Sequence, residues 1–262
     1  LGCEIVCGDI TDRAGLAGIC EDVAVVCHMA AIILTREAGD YERVNVGGTL
    51  NLLSEARRCG CEHFVYVSSA SVTYPRTTPY SRSKRLCEAM VMAQESMPWT
   101  VLRPTLVYDE AGAAELYRFW EHLLRFPVAV LVGDGKARKR PVWSEDLGSG
   151  IAAALGNQAA FGKIYNLSGA QVVTMEEMAA VLLHRCGVKK PIVKIPASLS
   201  LLAAHLVELL PLGSFLSSSA LLGILQDADL SPAAAMRDLG YNPLGFEQGL
   251  ERAGTLPPSR RC

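Results

Sequence analysis

The chain has 262 residues, half of them hydrophobic, with 27 acidic side chains against 25 basic ones. That length suits one large α/β domain or a domain with a smaller lobe, and a net charge of −2 leaves no electrostatic footprint for nucleic acid. Nine cysteines show no metal-ligand spacing, so no metal site is expected, and free thiols in a reducing cytoplasm are the simplest account.

The first residue is Leu rather than Met and no secretory leader is visible, so a processed or truncated start is expected. Short apolar or β-branched runs then mark strands at Glu4–Cys7, Val23–Cys27, His63–Val67, Thr100–Leu102 and Lys163–Leu167. Between the second and third, Asn45–Cys59 has helical spacing and stops at Cys-Gly. Tyr80–Ser96 is a second helical stretch, stopped before Pro98. Strands buried on both faces and alternating with helices predict a doubly wound parallel sheet over residues 1–170. After Gly169 helices predominate, beginning at Thr174-Met-Glu-Glu177, where Thr174 is the cap and Glu177 stands at the capping-box position. Residues 171–262 are expected to form a small, mostly helical substrate lobe. Its greasy stretch, 195–212, contains His205, Glu208 and two prolines and is too interrupted to span a bilayer. Leu201, Leu202, Leu206, Leu209 and Leu210 could share a face lying on a membrane surface, though a pocket-lining helix is the plainer reading.

The chemistry centres on Tyr80-Ser-Arg-Ser-Lys84. Positions four apart share a helix face, so phenol and ammonium point into one space. A free phenol, with a pKa of ~10, is too weakly acidic to act as a base at neutral pH, and a nearby ammonium favours the phenolate. Such a tyrosine can move a proton while a hydride moves to or from a nicotinamide. Alone, the spacing is common by chance and reads first as an ordinary exposed helix start. Upstream, Val65-Tyr-Val-Ser-Ser69 ends a strand in hydroxyls; Ser69 would sit at the sheet edge, either anchoring a reacting oxygen or capping a turn.

These residues belong to an ordered set. It runs Gly8-Asp9-Ile10, His28-Met-Ala-Ala31, Asn45-Val-Gly-Gly-Thr-Leu-Asn-Leu-Leu53, Tyr66-Val-Ser-Ser69, Tyr80 to Lys84 and Leu102-Arg-Pro-Thr-Leu-Val-Tyr108, then Val132-Gly-Asp-Gly135, Pro141 to Leu147 and Tyr165 to Gly169. The set resembles the extended short-chain dehydrogenase/reductases, the group of NAD-dependent epimerases and dehydratases and 3β-hydroxysteroid dehydrogenase-like enzymes. The resemblance implies a Rossmann-like fold, NAD or NADP as cofactor, and a small-molecule substrate. It implies Ser69, Tyr80 and Lys84 as catalytic residues, with Lys84 also holding the nicotinamide ribose. Asp9 and Ile10 would meet the adenine edge, and His28, Ala30 and Ala31 would lie on the floor under the dinucleotide, His28 chiefly for packing. Asn45 would stand behind the site, while Arg103, Pro104 and Thr105 would run past the carboxamide. Asp146 would cap its helix, and Tyr74 is a weak candidate substrate contact. A homodimer is compatible with this family.

The family's opening glycine-rich turn, Thr-Gly-Gly/Ala-x-Gly-x-x-Gly, has no counterpart here. The resemblance therefore implies a start just before the family's third strand, a gap in mid-sheet and weak dinucleotide binding. Substrates divide between nucleotide sugars and apolar, sterol-like molecules. A diphosphate needs cations, and Lys136, Arg138, Lys139, Arg140 and Arg237 are the nearby candidates. The alternatives to an enzyme are a non-catalytic NAD(P)-binding subunit or redox sensor of the same superfamily, and a fragment without independent function.

Overall fold

The computed structural model describes residues 2–35, 37–109, 114–208 and 218–254. In chain order the elements are β1 (Val25–His28), α1 (Ala38–Asp40), a π-helix (Tyr41–Gly47), α2 (Gly48–Arg58), β2 (His63–Val67), α3 (Pro79–Ala93), β3 (Trp99–Pro104) and β4 (Val107–Tyr108). Then come α4 (Ala114–Arg125), β5 (Ala129–Val132), β6 (Arg138–Lys139), β7 (Val142–Trp143), α5 (Ser144–Ala154), β8 (Lys163–Leu167), β9 (Val173–Thr174) and α6 (Met175–Arg185). β10 (Ile192–Ile195), α7 (Ala197–Glu208), α8 (Ser218–Ile224), α9 (Ala233–Leu239) and α10 (Phe246–Arg252) complete the chain.

The main sheet is parallel, in the order β1-β2-β3-β8. All five residues of β2 are buried, because successive side chains enter opposite layers. Phe64 and Tyr66 pack with Leu53, Ala56, Cys87 and Val91 of α2 and α3. Val65 and Val67 pack with Ile151 and Ala154 of α5 and with Ala235 of α9. This is the expected doubly wound α/β arrangement.

Two expectations are corrected. Glu4–Cys7 is not a strand: it is exposed, and no strand flanks it among the described residues, so its backbone groups have no ladder to join. Nor does the sheet have a gap, since β1 is an edge strand and the four strands are contiguous. The N-terminal segment docks instead at its far end. Ile10 packs so closely on Gly48 that a Cβ there would lie 2.5 Å from Ile10 Cδ1, and Asn51 Nδ2 donates to Ile10 O at 3.0 Å.

Packing crosses the expected division at residue 170 in both directions. α4 and β5 pack with α6 and α10 in one core that contains Leu116, Trp120, Leu131, Met178 and Phe246. Conversely α9 returns to the main sheet, where Tyr241 donates to Ser168 O at 3.2 Å. Gly169 marks the crossing, and a Cβ there would lie 2.0 Å from Pro141 O. Of the five leucines that could share a face, Leu201 and Leu202 lie on α7; the side chain of Leu206, and Leu209 and Leu210 altogether, lie outside the described residues. Among the described residues no helix is long and apolar enough to cross a membrane, no cluster could hold a metal, and the eight cysteines are free.

Candidate active site

Helix α3 begins where the sequence dictates. Thr78 and Ser81 cap it reciprocally, with Ser81 N to Thr78 Oγ1 at 3.1 Å and Thr78 N to Ser81 Oγ at 2.8 Å, and Pro79 occupies the first turn. Tyr80 is therefore fixed in the first turn and Lys84 one turn on, against the C-terminal tip of β2. Lys84 is 2% exposed. Its Nζ donates to Val67 O at 2.7 Å and lies 4.3 Å from the centroid of the Tyr66 ring. Burial lowers its pKa to about 8, with Cys87 and Glu88 opposing the shift. The Tyr66 phenol is raised far above its usual range, first by burial, then by Cys87 and, more weakly, by Tyr80. Tyr80 is half-buried, its ring edge-on to that of Tyr41.

Ser69 lies at the strand tip, two residues beyond the carbonyl that Lys84 holds. Its Oγ accepts from Ser71 N at 3.1 Å and caps the 3-10 turn Ala70–Thr73, so the capping role is present. Beside it the hydroxyls of Ser68 and Ser71 are buried with no hydrogen-bond partner among the described residues. A tip rich in such groups suits a polar ligand.

Behind the tip, Asn45 is buried and uses its whole amide. It accepts from Ile32 N at 2.9 Å and donates to Ile32 O at 3.1 Å and to Ser83 Oγ at 3.0 Å. His28 is also buried, its Nε2 2.9 Å from Thr49 Oγ1, and burial followed by the Lys84 charge lowers its pKa to about 4. Its side chain thus packs in the core, while Ala30 is exposed and Ala31 half-buried at the end of β1. Asp9 is exposed, and its Oδ1 accepts from Thr11 N at 2.8 Å; the Thr11 hydrogen bonds hold the carboxyl below its usual range.

Arg103 and Pro104 close β3, and Thr105 follows it. The Arg103 guanidinium is turned to buried Glu88, with Nε to Oε1 at 2.9 Å and Nη2 to Oε2 at 2.5 Å. Pro104 pairs with Leu167, and the Thr105 hydroxyl donates to Arg140 O. Asp146 does not cap its own helix: it accepts from Leu244 N at 2.8 Å and ties α5 to the approach to α10. The reason is position, since Asp146 stands inside the first turn of α5 and Trp143 at its cap.

Several residues escaped sequence reasoning. Arg85, next to Lys84, donates to Val72 O with both Nε and Nη2, at 3.1 and 2.6 Å. Gln226 brackets the Arg76 backbone, accepting from its N at 2.6 Å and donating to its O at 3.0 Å. The loop joining Ser69 to Tyr80 is thus held from both lobes. Only the charge on Arg85 was legible; the Gln226 contact spans 150 positions and leaves no local signal.

The residues present fit one half of a nicotinamide dinucleotide. Past the end of β1 the chain has small side chains at Ala30 and Ala31, and buried Lys84 and the serine-rich tip of the neighbouring strand supply polar groups. Residues 2–168 match the family described as the NAD dependent epimerase/dehydratase family. The chain is 31% identical over 278 residues to a 3β-hydroxysteroid dehydrogenase/Δ5→4-isomerase of Mycobacterium tuberculosis, covering 92% of this chain and 75% of that one. It is 26% identical to a 3-beta-hydroxysteroid dehydrogenase of Mycolicibacterium neoaurum, covering 91% and 75%. The fold is shared with a dTDP-glucose 4,6-dehydratase of Streptomyces venezuelae solved with NAD and TYD bound (TM-score 0.73, 24% identity, 94% and 76% covered). The strand order, the Tyr80–Lys84 helix and the matched residues agree, and the chain belongs to the NAD-dependent epimerase/dehydratase family, as an NAD-dependent enzyme of the extended short-chain dehydrogenase/reductase type.

Proposed function

We propose that this protein moves a hydride between NAD and the hydroxyl/carbonyl pair of an apolar, sterol-like substrate. The observation that carries the reading is the pairing of Tyr80 and Lys84 on one face of α3, with Lys84 Nζ bonded to the tip of the strand that ends in Ser69. Tyr80 gives and takes the proton of the reacting oxygen, and the Lys84 ammonium favours the phenolate and holds the nicotinamide ribose. Ser69 hydrogen-bonds the reacting oxygen as its charge develops. NAD, when bound, supplies the hydride acceptor or donor. Asp9 and Ile10 flank the adenine, Ala30 and Ala31 form the floor with His28 packed beneath, and Asn45 braces the site from behind. The Arg103–Thr105 segment passes the carboxamide through its backbone, since the Arg103 and Thr105 side chains are bonded elsewhere.

The substrate class rests on where the cations go. Arg138 pairs with Asp229, Lys139 donates to Gly223 O and Gln226 O, Arg140 donates to Asp229 O and Ala170 O, and Arg237 pairs with Asp238. Four of the five cations that a diphosphate would call on thus already have partners, Lys139 and Arg140 through backbone carbonyls and Arg138 and Arg237 through exposed ion pairs, which favours an uncharged substrate. The relatives named for 3β-hydroxysteroid chemistry support the same class. The elements from α6 onward, joined by α4 and β5, would form the pocket for it.

The test is Tyr80→Phe in the full chain, with NAD+ and dehydroepiandrosterone followed by NADH absorbance and NAD+ binding followed by calorimetry. Turnover is expected to fall at least about 100-fold with NAD+ affinity kept. Turnover that survives the substitution overturns the acid/base assignment. Parent protein that binds NAD+ but turns over no alcohol or ketone favours the non-catalytic reading.

A further inference from the structure

The π-helix Tyr41–Gly47 lies directly before α2 and packs on α3. π-turns occur mostly as short insertions, often at functional sites. Two of its side chains, four residues apart, make parallel bridges. Asn45 joins both backbone groups of Ile32 to Ser83 on α3. The Tyr41 hydroxyl donates to Ile33 O at 3.0 Å, and its ring meets the Tyr80 ring edge-on, with centroids 6.2 Å apart and planes at 61°. Ile32 and Ile33 are adjacent, and Tyr80 and Ser83 are one turn apart on α3. Tyr41 therefore repeats the Asn45 bridge one turn earlier, but ends on the phenol ring instead of a serine.

The Tyr80 backbone is already fixed by the cap of α3 and by Ser83 Oγ, which donates to Tyr80 O at 2.8 Å. An edge-to-face contact with Tyr41 limits the two torsions of the Tyr80 side chain. From this geometry we infer that Tyr41 is a positioning residue for Tyr80: its ring sets the direction of the phenol, and its hydroxyl holds that ring against the segment after β1. The inference rests on the reading of Tyr80 as the acid/base. An aromatic pair contributes about 2- to 12-fold in an equilibrium or rate, which sets the size of the effect sought.

The experiment compares Tyr41→Leu, which removes the ring, with Tyr41→Phe, which keeps it. In the full chain with NAD+ and dehydroepiandrosterone, Tyr41→Leu is expected to lower kcat by about 5-fold, leave the KM for NAD+ within about two-fold, and displace the pH profile of kcat. Tyr41→Phe is expected to restore at least half of kcat. A second readout needs no substrate. Ring resonances of 13C-labelled tyrosine, assigned to Tyr80 by their loss in Tyr80→Phe, are expected to move in Tyr41→Leu, because a neighbouring ring current is removed, and to stay near the parent in Tyr41→Phe. Unmoved Tyr80 resonances, or Tyr41→Phe losing kcat as fully as Tyr41→Leu, overturn the inference. If Tyr41→Leu melts below the assay temperature, Tyr41→Met is read in its place. Tyr80→Phe run alongside separates the two failures: turnover that survives it brings down the acid/base reading, whereas its loss with an unaffected Tyr41→Leu brings down only the role of Tyr41.

Discussion

The Lys84 ammonium and the Val67 carbonyl, 2.7 Å apart, join helix α3 to the strand tip that carries Ser69. The contact keeps a charge in the core, and the core resists it: the lysine pKa falls from 10.5 to about 8.

That depression has a sign. Between about pH 8 and ~10.5 the unfolded chain holds a proton on this lysine that the folded chain does not, so stability rises with pH across the window and is lost as pH falls toward 8. The full span corresponds to about 3 kcal/mol. Lys84→Met is expected to melt at or above the parent temperature at pH 7 and to lose this dependence, while NAD+ affinity drops. Calorimetric melts from pH 7 to 10.5 on both proteins check the first part and NAD+ titration the second.

On the acid side, His28 is neutral when folded and its pKa lies at about 4. Below about pH 6.5 the unfolded chain takes up a proton that the folded chain refuses, so stability declines from there and levels off near pH 4. The decline attributable to His28 is about 3 kcal/mol. His28→Gln, whose amide can still meet Thr49, is expected to remove that share of the limb; His63 and His122, also lowered by burial, and Glu55, whose carboxyl the Arg58 and Gly18 hydrogen bonds hold down, leave a remainder. Urea melts at pH 7, 6, 5 and 4 give the slope, and an undiminished limb in the variant counts against this account.

Glu88 is buried with a two-pronged Arg103 partner. Removing one member strands the other charge, so Glu88→Ala is expected to cost about 3 kcal/mol. Adding Arg103→Met should recover part of that, because no unpaired charge remains. A double-mutant cycle in guanidinium reads the coupling, and strictly additive losses would count against it.

Two glycines are tight for different reasons. At Gly169 an added Cβ meets the backbone oxygen of Pro141 at 2.0 Å, whereas at Gly249 it meets the Tyr108 hydroxyl at 1.9 Å. A backbone atom moves less readily than a side chain, so Gly169→Ala is expected to lose more than Gly249→Ala, each at least ~2 kcal/mol. Thermal melts rank them, and the reverse order would show that Tyr108 is the more rigid neighbour.

What the sequence revealed was local. The Thr174–Glu177 capping box, the strands His63–Val67 and Lys163–Leu167, and the helical spacing of Tyr80 and Lys84 each depend on neighbours a few positions away, and each stands where it was read. Glu4–Cys7 has a strand's composition, but a strand also needs a flanking partner, which no short window reports. The π-turn at Tyr41–Gly47 was hidden because most of it lies before Asn45, where the helical spacing begins. The same limit applied to charges: the ordered motifs brought out Arg103 and Asp146, but their partners, Glu88 and Leu244, were fixed only when distant segments met.

The path of the chain between lobes has a thermodynamic consequence. α4 and β5 leave the main sheet early and α9 comes back to it late, so neither half is an uninterrupted stretch of polypeptide. Cleaving the chain near residue 170 would leave each half lacking a piece of its own interior. Such interleaving favours cooperative melting, in which heat or denaturant dissolves the whole molecule in one step.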